Sequence, residues 1–331
     1  MKYLIVFILI IATLFGCSKP PIPQKLIAYE RIVSAGDEGI GIVAYDLASN
    51  PYSTYLLITD VSNNIHFEKA LGDSLIFTDS IDLGESFILL LKNKKSHQSL
   101  LMNFDYNGKL LKQKEFNIQG IELLQLTEKN LLICGNTAEN ETGYMLLKPN
   151  WDIIITNVLP GNEYRSCVTF KDEPYFVTFN SADKTCGIYT KNNDKLYSYS
   201  CSAENPSHLT VNDDSLRLHW LDSNADIHII SFDEMIKVTD ETLVPTGKAT
   251  NFSVVEKGNE TFYTLLMIDK EIGGASGTKL YKLSPQRFQE IKPDNPATMT
   301  LASFYQKNNQ LMLCFFSLTA KGNQNGFFII E

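Results

Sequence analysis

The sequence is poor in the features that mark nucleic-acid-binding and helical proteins. It has 29 Lys and Arg residues against 38 Asp and Glu, a formal net charge of −9, and no basic run longer than Lys94-Lys95. This balance excludes nucleic acid as an expected partner. Amphipathic helices are also missing. Asp233 to Leu243 comes nearest to one, and its pattern favours a strand and a loop.

The chain also lacks the short motifs that carry known chemistry. It contains no Gly-rich phosphate loop, no Gly-x-Ser-x-Gly elbow and no His-Glu-x-x-His. Carboxylates are plentiful, but no Asp/Glu pair has a distinguishing spacing. We therefore expect no cofactor and favour a protein without enzymatic activity.

One apolar run stands at the start of the chain. After Lys2, residues 3–15 are uncharged, which is the length of a secretory signal core and too short to span a bilayer as a helix. The run ends in Leu14-Phe15-Gly16-Cys17. This sequence resembles the lipobox of bacterial lipoproteins, although Phe15 is bulkier than the usual residue. We predict a signal peptide over residues 1–16.

The resemblance implies that Cys17 carries diacylglycerol and an N-linked acyl chain such as palmitate, which together anchor a protein stably. Residues 17–24 would then form a Pro-rich tether, with residues 25–331 as a single domain. Ser18 after the cysteine resembles lipoproteins sorted to the outer membrane of Gram-negative bacteria. Lys19 replaces the acidic residues of some surface-export signals, which favours the periplasmic face over the cell surface.

The rest of the sequence is a series of short apolar or alternating runs separated by Asn, Asp and Gly, which is typical of strands and tight turns. A turn recurs at Asn63, Asn107, Asn150, Asn193, Glu234 and Gln286, in steps of 44, 43, 43, 41 and 52 residues. A period in the forties with about four strands per unit is typical of propeller blades.

The pattern predicts an all-β fold, a β-propeller of seven four-stranded blades, with six or eight blades as alternatives. A pair of β-sandwiches or a β-helix is the competing prediction, because strand alternation does not distinguish closure from stacking. Over residues 25–331 the chain resembles β-propeller lipoproteins of Gram-negative bacteria, in pattern only. Trp-Asp occurs once, at residues 151–152, and does not recur as a blade ending. The double-glycine kelch signature is absent too, since Gly273-Gly274 stands alone.

The closure of the ring has two possible solutions. From Gln286 another 45 residues reach Glu331, so a seventh blade would lack its outer strand. Residues 25–33 could supply that strand and pair the first segment with the last. Alternatively, the same segment could be the innermost strand of the first blade, and it is too short for both roles.

Six cysteines include one candidate disulfide. If a hairpin turns at Asn193-Asp194, Cys186 and Cys201 lie opposite each other, within reach of a disulfide. Two small buried apolar residues would give the same pattern. Cys134, Cys167 and Cys314 lie in apolar strands and are interpreted as core residues.

Two histidines are weak candidates for metal ligands. A turn at Ser223-Asn224 would place His219 opposite His228, with Asp226 nearby. No third ligand is apparent, and a polar pair packed between blades is an equally good explanation, so we expect no metal site.

Two functions remain open. The favoured hypothesis is a binding or scaffold propeller, anchored in the outer membrane through its lipid and presenting one face to an envelope protein, a peptide or a glycan. The alternative is a polysaccharide hydrolase or lyase with carboxylates in the axial funnel. Two close carboxylates with separated pKa values would favour the enzyme, and a plugged channel would exclude it.

Overall fold

The computed structural model describes residues 25–330 apart from 37–38, 50–51, 127–128, 138, 140, 213, 270–273, 286, 293–298, 308–309 and 320–321. At 268–269, 274–276, 301, 318–319, 322–323 and 328 only the backbone is described. The predicted signal peptide and Cys17 lie outside these residues. No helix in the described part of the chain is long and apolar enough to cross a membrane.

The described residues form seven antiparallel sheets in chain order, which we call blades 1 to 7. The strands of blades 1 to 3 are β1 (Ile27–Gly36), β2 (Gly39–Asp46), β3 (Ser53–Thr59), β4 (Ile65–Gly72), β5 (Leu75–Asp82), β6 (Ser86–Asn93), β7 (Ser99–Asp105), β8 (Leu110–Phe116), β9 (Ile118–Gln125), β10 (Leu131–Thr137), β11 (Thr142–Leu147) and β12 (Ile153–Val158). Those of blades 4 and 5 are β13 (Glu163–Phe170), β14 (Glu173–Asn180), β15 (Thr185–Thr190), β16 (Lys195–Ser200), β17 (Ser207–Asn212), β18 (Ser215–Leu221), β19 (Asp226–Phe232) and β20 (Val238–Pro245). Those of blades 6 and 7 are β21 (Ala249–Lys257), β22 (Glu260–Asp269), β23 (Gly274–Ser284), β24 (Arg287–Ile291), β25 (Leu301–Lys307), β26 (Gln310–Thr319) and β27 (Gly322–Ile330).

The apolar core is divided into seven clusters, each between two successive blades. One of them joins blade 7 to blade 1, with Met312 and Cys314 packed against Ile32 and Ile42. Middle strands are buried on both faces because each sheet packs against two neighbours, and the run Phe87 to Leu91 is a clear example. The ring is therefore closed. The predicted seven-blade propeller is confirmed, and the sandwich and β-helix alternatives are excluded.

The predicted turns lie in the outer hairpins, which join the third and fourth strands of blades 1 to 6, and Gln286, the predicted turn of blade 6, lies outside the described residues. Five of them share one geometry, in which residue i donates to the carbonyl of i+4 and residue i+3 donates back to the carbonyl of i. The residue at i+3 is left-handed, as in Asn63 (φ 67°) and Asn193 (φ 69°). This is the three-residue hairpin loop of a type I turn followed by one left-handed residue. At the first position, Asp60, Asp105 and Asp233 each accept two backbone N–H groups of the loop.

The first strand settles how the chain begins the ring. Residues Ile27–Gly36 pair with β2 and lie at the inner end of blade 1. Their contacts with β25 and β5 place them beside the first strands of blades 7 and 2. The suggestion that this segment completes blade 7 is therefore wrong. Blade 7 has three described strands. Within the described residues the ring closes by side-chain packing and hydrogen bonds between blades 7 and 1, and no strand is shared.

Candidate functional site

The innermost strands carry a recurring irregularity close to the axis. A bulge interrupts the pairing of the innermost strand with its neighbour in blades 1, 2, 3, 4 and 6. The residue that follows the extra one is polar in each case, namely Arg31, Asp79, Glu122, Ser166 and Asn251. Blade 5 has no such bulge, and His208 lies at the equivalent place in its innermost strand. A bulge redirects a side chain locally.

We call Arg31, Asp79, Glu122, Ser166 and His208 the axial belt, because each binds the next blade around the axis. Arg31 binds the Asp79 side chain, and the other four bind a backbone group. Asp79 accepts from the Leu123 amide at 2.9 Å, Glu122 from Cys167 at 2.6 Å, and Ser166 from Leu209 at 3.1 Å. His208 donates through Nε2 to the Phe252 carbonyl at 3.0 Å. Partners are 43 to 45 residues apart, which is one blade.

Charge in the belt is partly compensated. The Arg31 guanidinium donates to Asp79 Oδ1 at 2.8 Å, and Asp79 Oδ2 accepts the Leu123 amide, so both carboxylate oxygens are engaged. Burial raises the pKa of Asp79, and Arg31 opposes that rise. Burial raises the pKa of Glu122 to about 7, against the hydrogen bond from Tyr164. Burial also lowers the pKa of His208 to about 4, so its imidazole is neutral at neutral pH.

A cavity of about 320 Å³ opens beside the belt, and we call it the axial cavity. It is lined by Glu30, Arg31, Ser253, Val254, Val255, Ala302, Ser303, Phe304 and Gln306. These residues belong to the innermost strands of blades 1, 6 and 7. Because blades 1 and 6 are not neighbours in the ring, a space that touches both must lie at the axis. Its walls mix a guanidinium, a carboxyl, hydroxyls and an amide with apolar side chains.

A second polar group joins blades 7, 1 and 2 at the carboxyl ends of their innermost strands. Lys307 Nζ binds Asp82 at 2.9 Å, the Tyr106 hydroxyl at 2.8 Å and the Ala35 carbonyl at 3.0 Å. Tyr305 donates to Asp82 at 2.6 Å and accepts from the Ala35 amide at 3.0 Å. Burial alone would raise the pKa of Asp82, but these hydrogen bonds hold it below the usual range. These hydrogen bonds therefore join blades 7, 1 and 2 at the point where the ring closes.

The histidine prediction is wrong in its register. His219 pairs with Ile229 and His228 pairs with Trp220, so the two imidazoles lie on opposite faces of the sheet. The cause is a loop of three residues, 223–225, where the prediction assumed two. His219 is fully buried and contacts the Thr210 and Tyr263 hydroxyls at 2.8 and 2.9 Å. His228 contacts Asp222 at 3.1 Å. Among the described residues no three His, Cys, Asp or Glu side chains are grouped as a metal ion would require.

The cysteine pair occupies a different register from the one predicted. Cys186 lies opposite Tyr199, and the Cys201 amide bonds to the Lys184 carbonyl, so Cys201 is displaced by two residues from direct opposition. A shift of two keeps both side chains on one face. The structure has Cys186 and Cys201 as a disulfide with Cα atoms 6.0 Å apart.

Sequence reasoning missed the axial belt and the axial cavity. Asp79 and Glu122 occupy the same position of successive repeats, and that equivalence was the available signal. A separation of one blade length does not correspond to any known carboxylate motif, so the spacing of Asp79 and Glu122 did not distinguish them. The bulge that precedes Asp79 and Glu122 in their strands is not associated with any particular residue type, so the sequence does not reveal it.

No protein-family model matches the chain, and no curated protein matches its sequence. Solved structures do match. A streptogramin B lyase is 14% identical, covers 94% of this chain and 96% of its own, and has a TM-score of 0.57. The β-propeller domain of Cps50 (Swd1) from Myceliophteria thermophila is 10% identical, with coverages of 92% and 100% and a TM-score of 0.59. The BP39L lectin from Burkholderia pseudomallei is 7% identical, with coverages of 93% and 99% and a TM-score of 0.59. At such low identity these likenesses show the fold alone.

Proposed function

We propose that this protein is a non-enzymatic binding propeller, anchored in the outer membrane by lipid on Cys17, that takes a hydroxyl-rich unit of an envelope glycan in its axial cavity. The observation that carries the proposal is the mixed lining of a cavity of about 320 Å³ at the axis. That volume is at the lower end of small-ligand sites. The propeller fold does not choose the ligand, since solved propellers include a lectin and a lyase.

The lining suits a neutral polar ligand better than an ion. Arg31 supplies donors, the Glu30 carboxyl supplies an acceptor, and the Gln306 amide supplies both. Burial raises the pKa of Glu30, which favours its uncharged form. Val254 and Phe304 provide apolar wall against which the C–H face of a sugar ring can pack.

The site is tested by calorimetric titration with a library of envelope oligosaccharides. Gln306 is exposed in the cavity, so Gln306→Ala should weaken binding about tenfold by removing one or two hydrogen bonds. Gln289 is exposed on the outermost strand of blade 6, and Gln289→Ala should leave affinity unchanged. Equal affinity of both variants, or binding of peptides in place of every oligosaccharide, would contradict the glycan assignment.

The lipid anchor has its own test. Cells that express the full chain should incorporate labelled palmitate into it, and Cys17→Ser should abolish both the label and membrane fractionation. An unlabelled wild-type protein would refute the anchor. For the periplasmic face, protease added to intact cells should leave the protein whole, and digestion would place it on the surface.

A polysaccharide hydrolase or lyase is the second candidate, favoured by Glu122, whose pKa of about 7 is that of a general acid at neutral pH. Against it, Asp79 and Glu122 already accept hydrogen bonds from neighbouring blades, which is a structural use. Polysaccharide cleavage by the wild type that Glu122→Gln abolishes, with glycan binding retained, would establish the enzyme.

A further inference from the structure

Two cysteines that the sequence assigns to the core meet between blades 3 and 4. Cys134 lies in β10, the second strand of blade 3, and Cys167 lies in β13, the innermost strand of blade 4. Their Sγ atoms are 3.1 Å apart. A disulfide bond is about 2.05 Å long, so an approach of about 1 Å would bring the two sulfur atoms to bonding distance.

The surroundings hold both thiols in place. Cys134 is fully buried and Cys167 is 5% exposed, in the apolar cluster that joins the two blades. The Cys167 amide donates to Glu122 at 2.6 Å, and the Tyr164 hydroxyl donates to the same carboxylate oxygen. The backbone of Cys167 is thus fixed to blade 3 by a contact that does not involve sulfur, and this contact holds the two sulfur atoms close together in the folded ring.

We infer that Cys134 and Cys167 form a disulfide that links blade 3 to blade 4. A small-molecule or protein disulfide is the oxidant. The thiolate of one cysteine attacks this disulfide, expels one thiolate and leaves a mixed disulfide. The thiolate of the other cysteine then attacks the cysteine sulfur of the mixed disulfide and expels the second thiolate. The two thiols lose two protons and two electrons, and the oxidant disulfide is reduced to two thiols.

The timing of the reaction follows from burial, which raises the pKa of both thiols. The thiolate is the nucleophile, so exchange in the folded ring is slow. The bond therefore forms while the blades are assembling, before the cluster between them excludes solvent. Once formed, it is shielded from reductants in the same way.

This link differs from the pair Cys186 and Cys201, which lies within blade 4. A disulfide inside a hairpin stabilises one blade, whereas a disulfide between two blades stabilises their packing in the ring. The remaining buried cysteine, Cys314, lies between blades 7 and 1 and is free. It supplies a matched control of equal burial.

The experiment refolds the full chain from denaturant with a mixture of oxidised and reduced glutathione, alkylates it after unfolding it again in denaturant, and maps tryptic peptides without reduction. Cys134 falls in residues 130–165 and Cys167 in residues 166–171, so a crosslink joins two separate peptides. The expected result is a linked 130–165/166–171 species. Alkylation of both cysteines in the refolded protein would overturn the inference.

A stability measurement gives an independent readout. Refolding and melting in reductant, in place of the glutathione mixture, should lower the melting temperature of the wild type more than that of Cys134→Ser/Cys167→Ser, by about 5 °C. Cys314→Ser should retain the full reductant effect of the wild type. An identical reductant effect in the double variant and the wild type would also overturn the inference.

Discussion

Two buried glutamates, Glu256 and Glu122, have pKa values shifted in opposite directions by their different surroundings in the ring. Glu256 lies between blades 5 and 6, where burial alone would raise its pKa. His219, 3.5 Å away, and the hydrogen bonds from Asn212 and Thr261 lower that pKa to about 2. Its stabilising contribution is present above its unfolded pKa of about 4.5 and is lost as pH falls toward 2. Glu122 shows the opposite behaviour, because it has fewer donors and burial dominates.

Glu122→Gln should therefore stabilise the protein at pH 8 by about 1 to 3 kcal/mol. The folded pKa of about 7 exceeds the unfolded value, so wild-type stability is lost as pH rises from about 4.5 to about 7. The glutamine amide oxygen can still accept from Tyr164 and Cys167. The measurement is the wild-type-minus-variant difference in unfolding free energy from pH 4 to 8.

The control for this comparison is Glu141→Gln, because Glu141 is exposed in a loop of blade 3. The difference in unfolding free energy between the wild type and Glu141→Gln should not change from pH 4 to pH 8. If the stabilisation by Glu122→Gln is independent of pH, or increases as pH falls, burial does not dominate the pKa of this carboxyl group.

At the scale of the element, the important contact is the closure between β27 and β1. Asn325 accepts from the Tyr29 amide at 3.1 Å and donates to the Ile27 carbonyl at 2.9 Å. Its side-chain amide thus bonds to a strand as a neighbouring backbone would. Asn63, from the outer hairpin of blade 1, donates to the Asn325 carbonyl at 3.3 Å. The Asn325 side chain therefore supplies two of the hydrogen bonds to β1 that the backbone of a shared strand would supply.

Asn325→Ala should lower the free energy of unfolding by about 1 to 3 kcal/mol, because two partly buried backbone groups of β1 lose their partners. Hydrogen exchange should show faster exchange at Tyr29, whose amide loses its acceptor. Asn192→Ala, in an exposed hairpin loop, is the matched control and should have little effect. Unchanged protection at Tyr29 would mean that the apolar cluster alone closes the ring.

The elements show which parts of the fold the sequence could predict. Turn residues mark where a chain reverses, so six hairpins and the blade period were predictable. Register was not, because it depends on how many residues a loop holds and on bulges such as the one between Ile188 and Tyr189. The left-handed position falls on Trp151 and Ile236 in two hairpins, which no turn preference would have indicated.

At the scale of the whole molecule, the number of blades followed from the period, but the mode of closure did not. Both roles considered for residues 25–33 agree with the same apolar pattern, since an innermost and an outermost strand of this length look alike. The contacts of β1 with β25 and β5 decide between them. Likewise, the axial belt depends on the innermost strands of five successive blades meeting in space, and no window of sequence contains that information.

Among the described residues no strand is shared between the first and last blades, and this has a consequence for how such a chain can change over generations. Each described blade is one uninterrupted segment of sequence, so duplicating or deleting a single gene segment would add or remove one complete blade. In a ring whose last blade is built from both chain ends, the same event would leave unmatched pieces. Lineages carrying this architecture can therefore vary their blade number by simple recombination, provided that the new first and last blades retain an amide like that of Asn325 at their junction.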